Sequence, residues 1–360
     1  MTKLDRYIAV NVLQAMLLVL LILGSLNFIF SLVDEFGETN EVYRAFDAFK
    51  YVLLVFPRYI YELLPMTALI GALTGLGVLA SSNELVVMQA SGVRVERIIW
   101  AVMKPALLLV VIGLILGEFV APRLELQGEM QRSLAKGEEM ALSRYGYWQR
   151  DDKEFLHFTA IDAAGELRGV SIFSFDDNQQ LLSKTEAQYA RFETQGSDTY
   201  WTLYNGMEQE FIETPSGPVS TNNEFRAKVW PVDLSPDLLK VLIIDPDKMA
   251  MSDLYLYANR FRSQGQQSDS YFLSFWKKML QPLTTAALVL VAISFIFGPL
   301  RESTMGSRLF TAICFGIVFI ILQRLLSTVS LVYHVNPFLA VFLPILLCAG
   351  LGWYLLKKAL

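Results

Sequence analysis

Long apolar runs separated by short polar joints occupy both ends of the chain, and a polar stretch punctuated by turn residues lies between them. A helix needs about 20 apolar residues to cross the roughly 30 Å hydrocarbon core of a bilayer, at about 1.5 Å of rise per residue. Six segments reach that length: Ile8–Val33, about Ile60–Ala80, Ile98–Ala121, Met279–Pro299, Leu309–Val332 and Pro337–Leu356. The pattern predicts three spans, an inserted domain and three further spans. The first run is too long for a signal-peptide core and no small-x-small cleavage site follows it, so it reads as a retained anchor.

Between Gly146 and Val229 the period changes to that of strands, with runs at Glu154–Ile161, Leu167–Phe175, Lys184–Ala190, Thr199–Tyr204 and Phe225–Val229. Asp151-Asp152, Asp176-Asp177-Asn178, Gly196-Ser197-Asp198 and Pro215-Ser216-Gly217 separate them, a spacing that suits an antiparallel sandwich or open barrel. Leu124–Ser143 reads as a helical continuation of the third span. Ser252–Ser263 reads as a helix that starts at a capping serine and stops before Gly265. The expected organisation is residues 1–121 as spans one to three, 122–272 as the β domain with flanking helices, and 273–360 as spans four to six. No repeat of solenoid period is present.

Composition agrees with a membrane protein: 54% of residues are apolar, 18% are charged, and the mean hydropathy is +0.40. Between Pro122 and Phe272 there are 24 Asp and Glu against 15 Lys and Arg, which argues against nucleic acid as a partner. Basic residues set the orientation. With the N-terminus inside, Lys3, Arg6, Arg94, Arg97, Lys104, Arg301, Arg308, Lys357 and Lys358 are cytoplasmic, whereas Arg44, Lys50, Arg58, Lys277 and Lys278 fall outside. That balance places both termini in the cytoplasm and the β domain in the periplasm.

Little in the sequence carries chemistry. There is no phosphate-cradling G-x-x-x-x-G-K-[ST] loop, so energy for any active process comes from another chain. H-E-x-x-H, C-x-x-C and G-x-S-x-G are absent. Cys314 and Cys348 lie inside apolar runs, and the two histidines, His157 and His334, are too few for most metal clusters. We assign no catalytic residue, metal or cofactor. The joint between the second and third spans is more informative, because Ser82 or Asn83 can cap a helix, Glu84 suits its first turn and Gly92 can end it. The resulting two-turn helix exposes Leu85, Val86, Val87 and Met88, and so buries itself in headgroups or in a partner's groove. Gly71-x-x-x-Gly75 and Gly113-x-x-x-Gly117 offer small-residue faces for helix packing. Arg324 lies in the fifth span, where a central Arg costs about 2.5 to 3.5 kcal/mol on insertion scales. It either snorkels or pairs, or, with Arg58, faces a cavity and an anionic headgroup. Arg58 has Glu62 one turn on, which can neutralise it.

These residues resemble a known family. The strings Leu4-Asp5-Arg6-Tyr7, Glu84-Leu85-Val86-Val87-Met88-Gln89-Ala90-Ser91-Gly92 and Gly169-Val170-Ser171-Ile172 are similar to those of the LptF/LptG lipopolysaccharide-export permeases, the LptG branch being the nearer. So are Pro122, Trp201, Gly265, Trp276, Lys278, Pro282, Ser294-Phe295-Ile296-Phe297-Gly298-Pro299-Leu300-Arg301, Met305-Gly306 and Arg308. The resemblance implies a polytopic α-helical fold of six spans with a periplasmic β-jellyroll, in the inner membrane of a Gram-negative bacterium. The chain would be a non-catalytic permease subunit that draws lipopolysaccharide from the outer leaflet.

The implied partners are an LptF-like permease, an LptB-like ATPase dimer that binds the ATP, an LptC-like single-span protein and an LptA-like periplasmic bridge. Glu84 to Gly92 would be the ATPase-coupling helix, and the first and fifth spans a lateral gate. Candidate gate or lipid-contact residues are Phe28 and Asp34 on the first span, Phe319 and Arg324 on the fifth, and Arg58. The outer half of the first span, Phe28-Ile29-Phe30-Ser31-Leu32-Val33-Asp34, lacks the basic residues of some family members. A secondary transporter would need paired broken helices and an ionisable relay. A membrane-anchored periplasmic enzyme would need a convergent acid-base or nucleophile set in the inserted domain.

Overall fold

The structure, a computed structural model, describes residues 3–136, 140–141, 147–151, 153–161, 166–176, 180–195, 198–214, 217–231, 245–263, 268–298 and 303–359. Residues 152, 177–178, 196–197 and 215–216 of the expected turns, the helix stop at Gly265 and the string Pro299–Arg301 lie outside them. Six helical runs among the described residues are long and apolar enough to cross a membrane. They are α1 (Lys3–Gly37), α2 (Ala45–Ser81), the continuous run Val95–Ser133, α7 (Asp269–Phe297), α8 (Met305–Tyr333) and α9 (Pro337–Ala359). The third run is α4 (Val95–Ile115), a π-helical turn (Leu116–Val120) and α5 (Ala121–Lys136). A short α3 (Glu84–Ala90) joins α2 to α4.

Helix α2 starts at Ala45 rather than near Ile60 because its first turns are amphipathic. Ala48, Val52 and Val55 recur on one buried face, and α5 lies against it. The most apolar window of α2 is 67% buried and that of α7 61%, against 17% in α1 and in α8, so α2 and α7 are inner helices and the other two show bare apolar flanks. Close approach of α1 to α2 depends on small residues. A Cβ on Gly71 would stand 2.5 Å from Met16 Cα, and one on Gly75 2.8 Å from Val12 Cα. Gly113 and Gly117 likewise meet Leu64 and Tyr61 of α2, so both glycine pairs serve packing inside this chain.

The helical continuation of the third span ends at Lys136, and Met140–Ala141 is strand β1 rather than helix. The other strands are β2 (Tyr147–Asp151), β3 (Glu154–Phe158), β4 (Ala160–Ile161), β5 (Leu167–Phe175), β6 (Leu181–Gln195), β7 (Asp198–Thr214) and β8 (Gly217–Trp230). They form one antiparallel sheet ordered β1-β4-β5-β6-β7-β8, with β3 also on β5 and β2 on β3. The expected strand over 154–161 is divided at Thr159. Strands β6 to β8 run well past the apolar stretches that announced them, because cross-strand hydrogen bonds continue through polar residues such as Glu208↔Asn223.

Leu156, Phe158, Leu167, Val170, Ile172, Trp201 and Leu203 form the sheet's buried face. Helix α6 (Met251–Ser263) closes it with Leu254, Ala258 and Phe261, and Tyr271 of α7 joins them. Trp230 Nε1 on β8 donates to Glu154 Oε2 on β3 at 2.9 Å, across strands that three others separate in the sheet, so the sheet is rolled toward closure.

Candidate functional site

Helix α3 begins after Asn83, whose backbone is left-handed at φ 62° and whose side chain makes no capping bond. Side-chain capping by Ser82 or Asn83 is therefore corrected. The Ser82 hydroxyl instead donates to Glu84 Oε1 at 2.9 Å, fixing the carboxylate at the helix start. Gly92, at φ +88°, ends the element: its N–H bonds the Gln89 carbonyl, and Val93 N–H bonds that of Met88. The expected exposure of four apolar residues is also corrected. Leu85 and Met88, three residues apart on one face, are buried in the core of the spans, whereas Val86 is 47% and Val87 66% exposed. Ala90 and Ser91 are exposed and Gln89 half-buried, so α3 is anchored on one side and offers a narrow apolar edge on the other.

Beside the middle of α2 an open cleft of about 300 Å³ lies between α2, α7 and α8. Tyr61, Glu62, Pro65 and Met66 line it from α2, Ser274, Lys277, Lys278 and Gln281 from α7, and Phe319, Gln323 and Arg324 from α8. Pro65 removes a helical N–H. The Tyr61 carbonyl this frees accepts from Gln281 Nε2 at 3.1 Å, which restores α2 from a neighbouring helix. Lys278 donates to the Met249 carbonyl, and Lys277 lies 3.7 Å from Asp247. The exposed Arg324 guanidinium has no partner among the described residues.

A charged strut stands beside the cleft. Arg58 donates to Glu125 Oε2 at 3.0 Å and to Glu62 Oε1 at 2.5 Å, while Lys248 meets Glu129 at 2.9 Å. Glu125 is 2% exposed. Its other oxygen has no hydrogen-bond partner, since Lys248 Nζ at 3.6 Å is too distant for one. Burial alone would lower the Lys248 pKa, but its hydrogen bond to Glu129 and the neighbouring carboxylates outweigh that and raise it. Arg132 joins Glu35 at 2.6 Å, and the Tyr43 hydroxyl donates to the same carboxylate at 2.9 Å. Burial first, then the hydrogen bond to Glu35 and that carboxylate's charge, push the hydroxyl above its usual range. Finally, Glu118 on the π-helical turn accepts from the N–H groups of Met251 and Ser252, at 2.8 and 3.2 Å. This carboxylate, rather than Ser252, caps α6.

The five candidate contact residues do not form one group. Arg324 and Phe319 share the cleft, although Phe319 is 4% exposed and belongs mainly to the core. Phe28 packs edge-on against Phe49 and Phe56 of α2 at 6.2 and 5.3 Å, and Asp34 is exposed at the end of α1. Arg58 is neutralised by two carboxylates, one more than its sequence neighbourhood suggested. Lys277, Lys278, Gln281 and Gln323 were missed as a set; the signal available for them was a lysine pair and glutamines facing inward at the end of otherwise apolar spans.

These features define a polytopic membrane protein with an inserted β domain, a partly exposed interhelical stub at one end and a cation-bearing cleft beside the middle of α2. A family model described as lipopolysaccharide export system permease LptF/LptG matches residues 6–358, and the chain belongs to that family. It is 36% identical over 343 residues to the lipopolysaccharide export system permease protein LptG of Escherichia coli K12, covering 95% of this chain and 94% of that protein. The protein of the same name from Haemophilus influenzae is 33% identical over 357 residues, covering 99% and 98%.

Proposed function

We propose that the chain is the LptG-type permease subunit of a lipopolysaccharide exporter in the inner membrane, oriented with both termini cytoplasmic and the β domain periplasmic. The observation that carries this reading is α3, a two-turn helix whose inner face is locked into the spans while Val86 and Val87 project from it. An apolar edge on a rigidly held stub suits a groove in an ATPase and moves the spans when that groove moves. ATP is bound and hydrolysed by an LptB-like dimer, and an LptF-like permease completes the cavity against the bare flanks of α1 and α8. An LptC-like single-span protein and an LptA-like bridge receive the lipid.

Lipopolysaccharide enters from the outer leaflet with its phosphates near Arg324 and Lys277, where a phosphate finds an uncommitted guanidinium. The structure offers a secondary transporter no paired broken helices and a periplasmic enzyme no convergent acid-base set among the described residues. The test is Val87→Asp, which charges the exposed edge without touching the core. The variant is expected to reach the membrane at normal levels and purify without the ATPase. Unchanged co-purification overturns the proposal. Glu84→Arg, which breaks the Ser82 contact, is expected to weaken the same association.

A further inference from the structure

A second concavity lies on the bundle's outer surface, between α4, α7 and α9, toward the end that carries α3. It encloses about 530 Å³. Ala286 and Ala287 of α7 form part of its floor, and Trp100 of α4 and Trp353 of α9, 69% and 65% exposed, stand at its mouth. An apolar void facing a bilayer forfeits dispersion contacts unless something fills it. The paired tryptophans mark the level of the headgroups.

Two charges decide the occupant. Glu96 lines the mouth. Lys104 follows the lining residues Trp100 and Met103 on the same helix, outside the lining itself, about 14 Å along α4 from its first residue. Both are exposed and neither has a partner among the described residues. Helical side chains lean toward the helix N-terminus, a direction that carries a lysine at 104 back toward Trp100 and the headgroup level. A carboxylate at the mouth of the groove and an ammonium beside it on the same helix match a headgroup that carries both an amine and a phosphate. A purely anionic lipid would meet Glu96 as a like charge, and the apolar flank of a transmembrane helix would satisfy neither group.

We infer that this groove seats one acyl chain of an ethanolamine-type phospholipid, with Lys104 on its phosphate and Glu96 toward its ammonium. The site faces away from the cleft beside Arg324 and binds a structural lipid rather than the exported one.

The experiment uses the full chain in its native complex, placed in nanodiscs with equal amounts of phosphatidylethanolamine and phosphatidylglycerol and then analysed by native mass spectrometry. Retention of phosphatidylethanolamine is expected. Ala286→Phe, which fills the half-buried floor, lowers that retention about tenfold. Glu96→Lys, at an exposed position that leaves packing intact, turns the preference toward phosphatidylglycerol and keeps the test alive if the first variant fails to fold. A photoreactive side chain at Leu346, which lines the groove and is 53% exposed, is expected to label phospholipid in cells. Equal retention by Ala286→Phe, no change of preference in Glu96→Lys, or a protein adduct at position 346 overturns the inference.

Discussion

Arg97 Nε lies 2.8 Å from Asp5 Oδ1, which ties the first turn of α1 to the first turn of α4. Ser91 to Arg94 are all that separate α4 from α3, so the ion pair links the stub, through the start of α4, to the bare-flanked helix α1. Because Arg97 is 44% exposed, the pair is worth at most about 1 kcal/mol of stability, and its value lies in direction rather than strength. Asp5→Arg is expected to leave the melting temperature nearly unchanged while lowering lipid transfer per ATP hydrolysed. Asp5→Arg combined with Arg97→Asp should recover the ratio, measured with transfer and phosphate release in the same proteoliposomes.

Gly71→Leu drives a side chain into the Met16 backbone, and no rotamer change can remove a clash with a Cα atom. The expected loss is about 1 to 3 kcal/mol or more, as for other overpacked cores. Thermal unfolding in detergent measures it. Gly350→Leu, at a position where an added Cβ meets nothing within 4 Å, serves as the control.

Removing Arg58 takes the hydrogen bond from Oε2 of buried Glu125, whose Oε1 already has none and lies 3.6 Å from Lys248. Arg58→Ala should therefore cost about 3 kcal/mol, in the range for a broken buried pair. Arg58→Ala with Glu125→Gln should recover much of the loss, because the double variant buries no unpaired charge. A double-mutant cycle by thermal melting decides between this and a merely local packing defect.

Glu118→Ala leaves two N–H groups at the start of α6 without an acceptor, at a cost of about 1 kcal/mol. The amides of Met251 and Ser252 should exchange faster while those of β6 and β7 keep their protection, so hydrogen exchange separates a lost cap from a loosened sheet.

Arg324→Glu sets a carboxylate against incoming phosphate and is expected to reduce lipopolysaccharide photocrosslinking from Gln323 or Ile320 severalfold, with ATPase docking unchanged. Equal crosslinking returns Arg324 to a snorkelling side chain.

The spans were legible because bilayer thickness imposes a length that any apolar run must meet, and the strands were legible where alternation was strong. Local pattern could not show the first turns of α2, whose polar face hides a buried one completed by α5. Nor could it extend β6, β7 and β8 through Glu, Gln and Asn, since those residues are held by backbone pairing rather than by their own burial. The stub was found by its breakers, Asn83 and Gly92, yet which of its apolar residues point outward depends on the face that meets the spans. The same limit applied to the cleft. Lys277 and Arg324 are 47 positions apart in the chain, and their shared outlook is set by how α7 and α8 turn toward α2.

Pro65 gives α2 a property that none of its neighbours' loops can supply. The half of this helix before Pro65 joins the half that bears the stub with one rung of its ladder supplied by Gln281, so the continuity of α2 depends on where α7 sits. The wall that α2 gives to the cleft is thus fastened from outside the helix, by a side chain that belongs to α7.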